Sequence, residues 1–102
     1  MGHAILNDSE IESALRGAAG WRRSGENIEK SFAFETFRDA IAFIVLVGIE
    51  AETMNHHPEF TNSYNIVSFA FCTHDVGRKI TDTDIKLAER LNAIAGRFPN
   101  VK

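Results

Sequence analysis

The chain has 102 residues, of which 44% are hydrophobic and 25% charged, a composition that supports one domain with a single core and argues against disorder. Its formal net charge of −3 disfavours a surface built to hold nucleic-acid phosphates, which requires clustered Lys and Arg. The one cysteine, Cys72, has no partner for an internal disulfide or a C-x-x-C pair, which suits a reducing cytoplasm.

Met1 to Leu6 carries neither a basic nor a long apolar stretch, so no secretory signal is expected. Gly2 follows Met1, but Leu6 stands where a myristoylation signal carries Ser or Thr. Asn7 followed by Glu10 marks a helix start, and Ile11, Ala14, Leu15 and Ala18 form one apolar face. A helix over Asp8 to Ala18 is expected, stopped by Gly17 and Gly20.

Trp21 to Arg23, the polar turn Ser24-Gly25-Glu26, and Asn27 to Phe34 predict a hairpin. Ile28, Phe32 and Phe34 fall on one face, interrupted by Lys30. From Glu35 the period becomes helical, with Phe37, Ala40, Ile41, Ile44, Val47, Gly48 and Ala51 recurring at that spacing. Phe43, Val45, Leu46 and Ile49 make this central helix apolar around much of its circumference, more than one sheet face covers. A homo-oligomer formed through it, dimer or tetramer, is expected. Its apolar run, Ala40 to Ile49, is too short to span a bilayer, so no membrane partner is expected.

Pro58 ends the helical pattern and biases His57 towards extended geometry. Phe60 to Tyr64 and Ile66 to Thr73 then read as two strands, the second with Val67, Phe69 and Phe71 facing the core. Thr81 with Asp84 is a capping signal, and Leu87, Ala88, Leu91, Ile94 and Ala95 form the stripe of a last helix stopped by Gly96 and Pro99. The order is α-β-β-α-β-β-α. A single α+β domain over residues 1–102 follows, with a four-stranded antiparallel sheet and three helices packed on one face.

The chemistry concentrates in His56, His57 and His74. Imidazole exchanges protons near neutral pH, so paired histidines beside a carboxylate make an acid–base set. Adjacent histidines on extended chain face different partners, leaving one for chemistry and one for orientation. Glu52, one helical turn before His56, is placed to hydrogen-bond it. Three histidines also suit zinc, but vicinal histidines seldom share one ion and no H-E-x-x-H or cysteine set is present, so no metal is expected. Nothing in the pattern lowers the Cys72 pKa, which argues against a thiol nucleophile. The residues thus lead to a metal-free histidine acid–base site, without identifying its substrate.

The motifs Glu52-x-x-x-His56-His57-Pro58-Glu59, Tyr64-Asn65-x-Val67, Thr73-His74 and Thr81-x-x-Asp84, with Gly20-Trp21 upstream, resemble the pterin-4a-carbinolamine dehydratase family over nearly the whole chain. The resemblance implies the fold above and dehydration of a 4a-hydroxytetrahydropterin to quinonoid dihydropterin, recycling a tetrahydrobiopterin-type cofactor. It further implies that the three histidines line the pterin site, His56 and His74 in acid–base work and His57 in binding, with those roles exchangeable. Glu52 would support His56, while Trp21 and Asp84 would contact the ligand at the site's edge. The pterin is substrate, and no cofactor is implied. Relatives in animals also serve as dimerisation cofactors for a homeodomain transcription factor, so a non-catalytic binding role is one alternative, and an enzyme of another pterin, as in molybdopterin metabolism, is a second. Two departures stand out: Phe60 replaces a common Trp, and the stretch from His74 to Thr81 is one residue longer and carries Arg78 and Lys79.

Overall fold

The computed structural model describes residues 3–102; the expectations about Met1 and Gly2 fall outside them. The elements follow the expected order: α1 (Asp8–Leu15), β1 (Arg22–Ser24), β2 (Asn27–Ala33), α2 (Phe37–Met54), β3 (Phe60–Ser63), β4 (Ile66–Phe71), a 3₁₀ turn (His74–Val76) and α3 (Asp82–Ala95). Two hairpins lie side by side in one antiparallel sheet of order β1-β2-β4-β3. The seam is the β2–β4 ladder, running from Ile28 opposite Phe71 to Ala33 opposite Ile66. Strand alternation then sends Ile28, Phe32, Val67, Phe69 and Phe71 to one face, where the three helices bury them.

α1 starts at Asn7 as expected, the Asn7 side chain accepting from Glu10 N–H, and the Glu10 carboxylate accepts in return from Asn7 N–H to complete a capping box. The helix is shorter than expected, because Arg16, Gly17 and Ala18 each bond three residues back and tighten the last turn. Gly20 then turns the chain at φ 82°, and a Cβ there would lie 2.8 Å from Lys30 Cε. Lys30 points to the core side yet keeps its ammonium satisfied, donating to Ala19 O and Asn92 Oδ1 at 2.8 Å each. Burial pushes its pKa below the ordinary lysine value.

The central helix is two-sided. Ala40, Phe43, Val47 and Ala51 are buried, while Ile41, Val45 and Ile49, spaced four apart, are 39%, 56% and 61% exposed. Its end is set by Asn55, which adopts the left-handed conformation at φ 50° and ψ 44°, three residues before Pro58. The N–H of His56 reaches back to Ala51 O at 3.0 Å, closing the helix as a Schellman-type cap does. No helix among the described residues is long and apolar enough to cross a membrane.

Candidate active site

The reversal at Asn55 delivers His56 and His57 as extended chain, and their rings take opposite courses. His56 turns inward, 8% exposed, and its Nε2 lies 2.7 Å from Asp84 Oδ1. His57 stays exposed, with Nε2 2.9 Å from Glu52 Oε1. An ionised carboxylate only accepts, so each ring donates from Nε2 and leaves Nδ1 available. Glu52 therefore bonds His57, whereas helical spacing had paired it with His56. The physical reason is Asn55: spacing by four presumes helix through His56, and the left-handed residue rotates that ring away.

Asp84 is fully buried in the first turn of α3, and every contact around its carboxylate is a donor. Oδ2 accepts from Thr81 N–H at 2.8 Å and from the Thr73 hydroxyl at 2.9 Å, while Oδ1 accepts from His56. The Thr73 and Thr81 hydroxyls are themselves 2.7 Å apart. Such saturation is what makes a buried carboxylate tolerable. The sequence gives Thr73 a place in the Thr73-His74 motif but no contact of its own, although a signal for one is present. The inward alternation Val67, Phe69, Phe71 extends to Thr73, placing a hydroxyl where the core face meets the site.

His74 opens the 3₁₀ turn just beyond β4, and its side chain is exposed. The longer stretch after it is accommodated by successive left-handed residues, Gly77 at φ 81° and Arg78 at φ 61°. Thr73 and Lys79 close its base by exchanging two backbone hydrogen bonds, 2.9 and 3.1 Å. His74 thus sits on a clamped turn.

These elements bring His56, His57 and His74 together around one cleft of about 180 Å³, with Asn55, Cys72, Thr73 and Asp75 completing its lining. Glu52 reaches the cleft through His57, and Asp84 lies behind His56. Trp21 is not brought there. It is 5% exposed, packs 5.3 Å from the Phe71 ring, and donates from Nε1 to Asn92 Oδ1 at 3.0 Å. Its indole anchors the core. Burial, and secondarily Asp84, pushes the Cys72 thiol above its ordinary pKa, which keeps it protonated and a poor nucleophile. Among the described residues, no group of three or more His, Cys, Asp or Glu side chains is placed to hold a metal ion.

A larger hollow, about 550 Å³, lies on the sheet's other face among Arg22, Glu29, Ser31, Thr61 and Ser68. Among the described residues, no histidine lines it. The smaller cleft gathers three imidazoles, groups able to exchange protons near neutral pH, and is the better candidate.

Comparison with known proteins fits this geometry to a family. The family model described as Pterin 4 alpha carbinolamine dehydratase matches residues 4–94. A protein of Opitutus terrae provisionally named pterin-4-alpha-carbinolamine dehydratase is 40% identical over 91 residues, covering 89% of this chain and 94% of its own. One of Brucella ovis with the same provisional name is 41% identical over 93 residues, 89% and 95% of the two chains. The crystal structure of a transcriptional coactivator/pterin dehydratase from Brucella melitensis superposes with a TM-score of 0.86 at 40% identity, over 90% of this chain and 99% of that one. A pterin dehydratase-like protein described as a RuBisCO assembly factor in the alpha-carboxysome shares the fold, with a TM-score of 0.66 at 23% identity over 78% and 94% of the chains. With the family's match running from the segment before α1 nearly to the end of α3, the chain belongs to the pterin 4 alpha carbinolamine dehydratase family.

Proposed function

We propose that this chain dehydrates a 4a-hydroxytetrahydropterin to quinonoid dihydropterin and water. The observation that carries the reading is the convergence of His56, His57 and His74 on one cleft, with His56 tied to the buried Asp84. The reaction breaks the C4a–O bond. The oxygen leaves with the bonding pair and takes up a proton to become water, while the neighbouring ring nitrogen loses a proton and supplies the pair for the new C=N bond.

Two imidazoles suffice for that exchange, one as acid at the departing hydroxyl and one as base at the nitrogen. His56 and His74 take these parts, His74 from its exposed turn and His56 through the Nδ1 that Asp84 leaves available. Asp84 fixes the tautomer and direction of the His56 ring, and Glu52 does the same for His57, which holds the pterin. The adjacent ring nitrogen already assists departure of the hydroxyl, so positioning and proton transfer are what the protein adds. The pterin is substrate, and no cofactor enters the scheme.

Self-association belongs to the same reading. The exposed stripe of Ile41, Val45 and Ile49 fits a second copy of α2 better than water. The stripe also supports the rival reading of a protein-binding role, in which the cleft is dispensable. The discriminating experiment is a substrate profile with purified protein, following carbinolamines that differ in the side chain at C6. Acceleration for at least one supports dehydration, and none for any of them supports the binding role.

A further inference from the structure

We infer that His3, the one histidine outside the three that line the cleft, is a positioning residue of the site. Residues 4–6 run antiparallel to the start of α3. Ala4 N donates to Asp82 Oδ1 at 2.9 Å, Asp82 N to Ala4 O at 3.1 Å, and Leu6 N to Ile80 O at 3.0 Å, with Ile5 bridged to Thr81. This places His3 against the first turn of α3, the turn that carries Asp84. His3 Nδ1 lies 2.7 Å from the Thr83 hydroxyl, its ring centroid is 5.7 Å from that of His56 at a tilt of 47°, and its side chain is only 18% exposed.

His56 is therefore held on three sides. Asp84 fixes its Nε2, the Phe71 ring packs nearly perpendicular to it with centroids 6.4 Å apart, and the His3 ring stands beside it. One hydrogen bond fixes a ring's direction but leaves it free to swing about that bond. A second ring packed beside it removes the swing, because displacement would collide with an imidazole that Thr83 anchors. His3 also faces the turn that bears His74, its Nε2 standing 3.8 Å from the Asp75 carboxylate. One residue of the N-terminal segment thus touches both His56 and the turn that carries the third histidine. Its task is to hold the spacing between them, without contacting the pterin.

The kinetic arm of the test rests on the dehydration reading; the spectroscopic arm does not. Full-length chains carrying His3→Ala or Thr83→Val are compared with the unchanged chain by imidazole ¹H–¹⁵N spectra and by dehydration kinetics. The His56 ring signals should move in both variants while those of His57, on its separate Glu52 contact, stay in place. Small misplacement of a reacting group costs rate rather than binding, so kcat should fall about five- to tenfold with KM within about twofold. The double variant should fall no further than either single one, as both act through one contact. Unmoved His56 signals would overturn the inference, whatever the rate does, and so would an unchanged kcat in an active protein. Should the unchanged chain prove inactive, the dehydration reading fails, and the His56 signals alone decide the role of His3.

Discussion

His56 and Asp84 stand 28 positions apart in the chain and 2.7 Å apart in the fold, the imidazole at the end of α2 and the carboxylate in the first turn of α3. The contact joins the capping of α3 to the cleft, since the same carboxylate accepts from Thr81 N–H and from the Thr73 hydroxyl. Asp84→Asn keeps the volume but presents only one acceptor oxygen to three donors. We expect it to lower the dehydration rate about tenfold or more through loss of ring orientation, and to cost about 1–3 kcal/mol of stability. In a domain of this size each kcal/mol lowers Tm by roughly 4–8 °C, so melting curves read the second effect. A variant with full rate would remove Asp84 from the account.

His56→Ala and His74→Ala separate chemistry from stability. Each should lower the rate at least about tenfold, the ordinary contribution of a positioned acid or base. Only the first should lower Tm, because it strips a donor from the buried Asp84, whereas the exposed His74 side chain has no hydrogen-bond partner among the described residues. Equal Tm losses would contradict the buried dyad.

The exposed pair of Glu52 and His57 should behave differently. Glu52→Gln should leave stability within about 0.5 kcal/mol, as solvent screens such pairs. If the pair orients His57 for binding, KM rises and kcat holds, and steady-state kinetics read both.

Cys72 supplies a test by pH. Its thiol pKa is raised by burial above the ordinary value of 9.0, so the folded state retains a proton that the unfolded state gives up first. The associated stability is fully present below pH 9.0 and is lost as pH rises through the folded value. Lys30 works in the opposite sense, its lowered pKa favouring the folded state as pH climbs towards 10.5, so the unchanged chain must be compared with Cys72→Ala. The variant should lose less stability than the parent between pH 8 and 10, by denaturant unfolding. Native Cys72 should also alkylate more slowly than a small free thiol at pH 8.

Association through α2 is read from mass in solution. Val45→Asp places a charge in the stripe of Ile41, Val45 and Ile49 and should split an oligomer while the domain stays folded, because Val45 is 56% exposed. An unchanged mass by sedimentation would count against that interface.

Element order, sheet faces and the two-sided helix were legible because they rest on periodicity. The alternation of Val67, Phe69 and Phe71 and the helical recurrence of Ala40, Val47 and Ala51 report burial directly. The convergence of His56, His57 and His74 on one cleft was legible from residue type and motif. Its wiring was not. Spacing pairs Glu52 with His56, but the left-handed Asn55 breaks that spacing, and Asp84, read as a cap and as a ligand contact, instead lies fully buried against His56, a bond that exists only after α2 and α3 pack. The resemblance places Trp21 at the site's edge, whereas the fold buries it in the core, where Asn92, 71 positions along the chain, accepts its indole proton. Lys30 looked like an intrusion into an apolar face because its exit to Ala19 and Asn92 is likewise a tertiary fact.

The most direct test of proton transfer by this cleft is the decay of chemically generated 4a-hydroxytetrahydropterin with purified protein, with and without a chelator, against the His56→Ala/His74→Ala double variant. Acceleration that survives the chelator and disappears in the variant is the predicted result. Acceleration that persists in the variant, or none with the unchanged protein, would contradict histidine acid–base dehydration in this cleft.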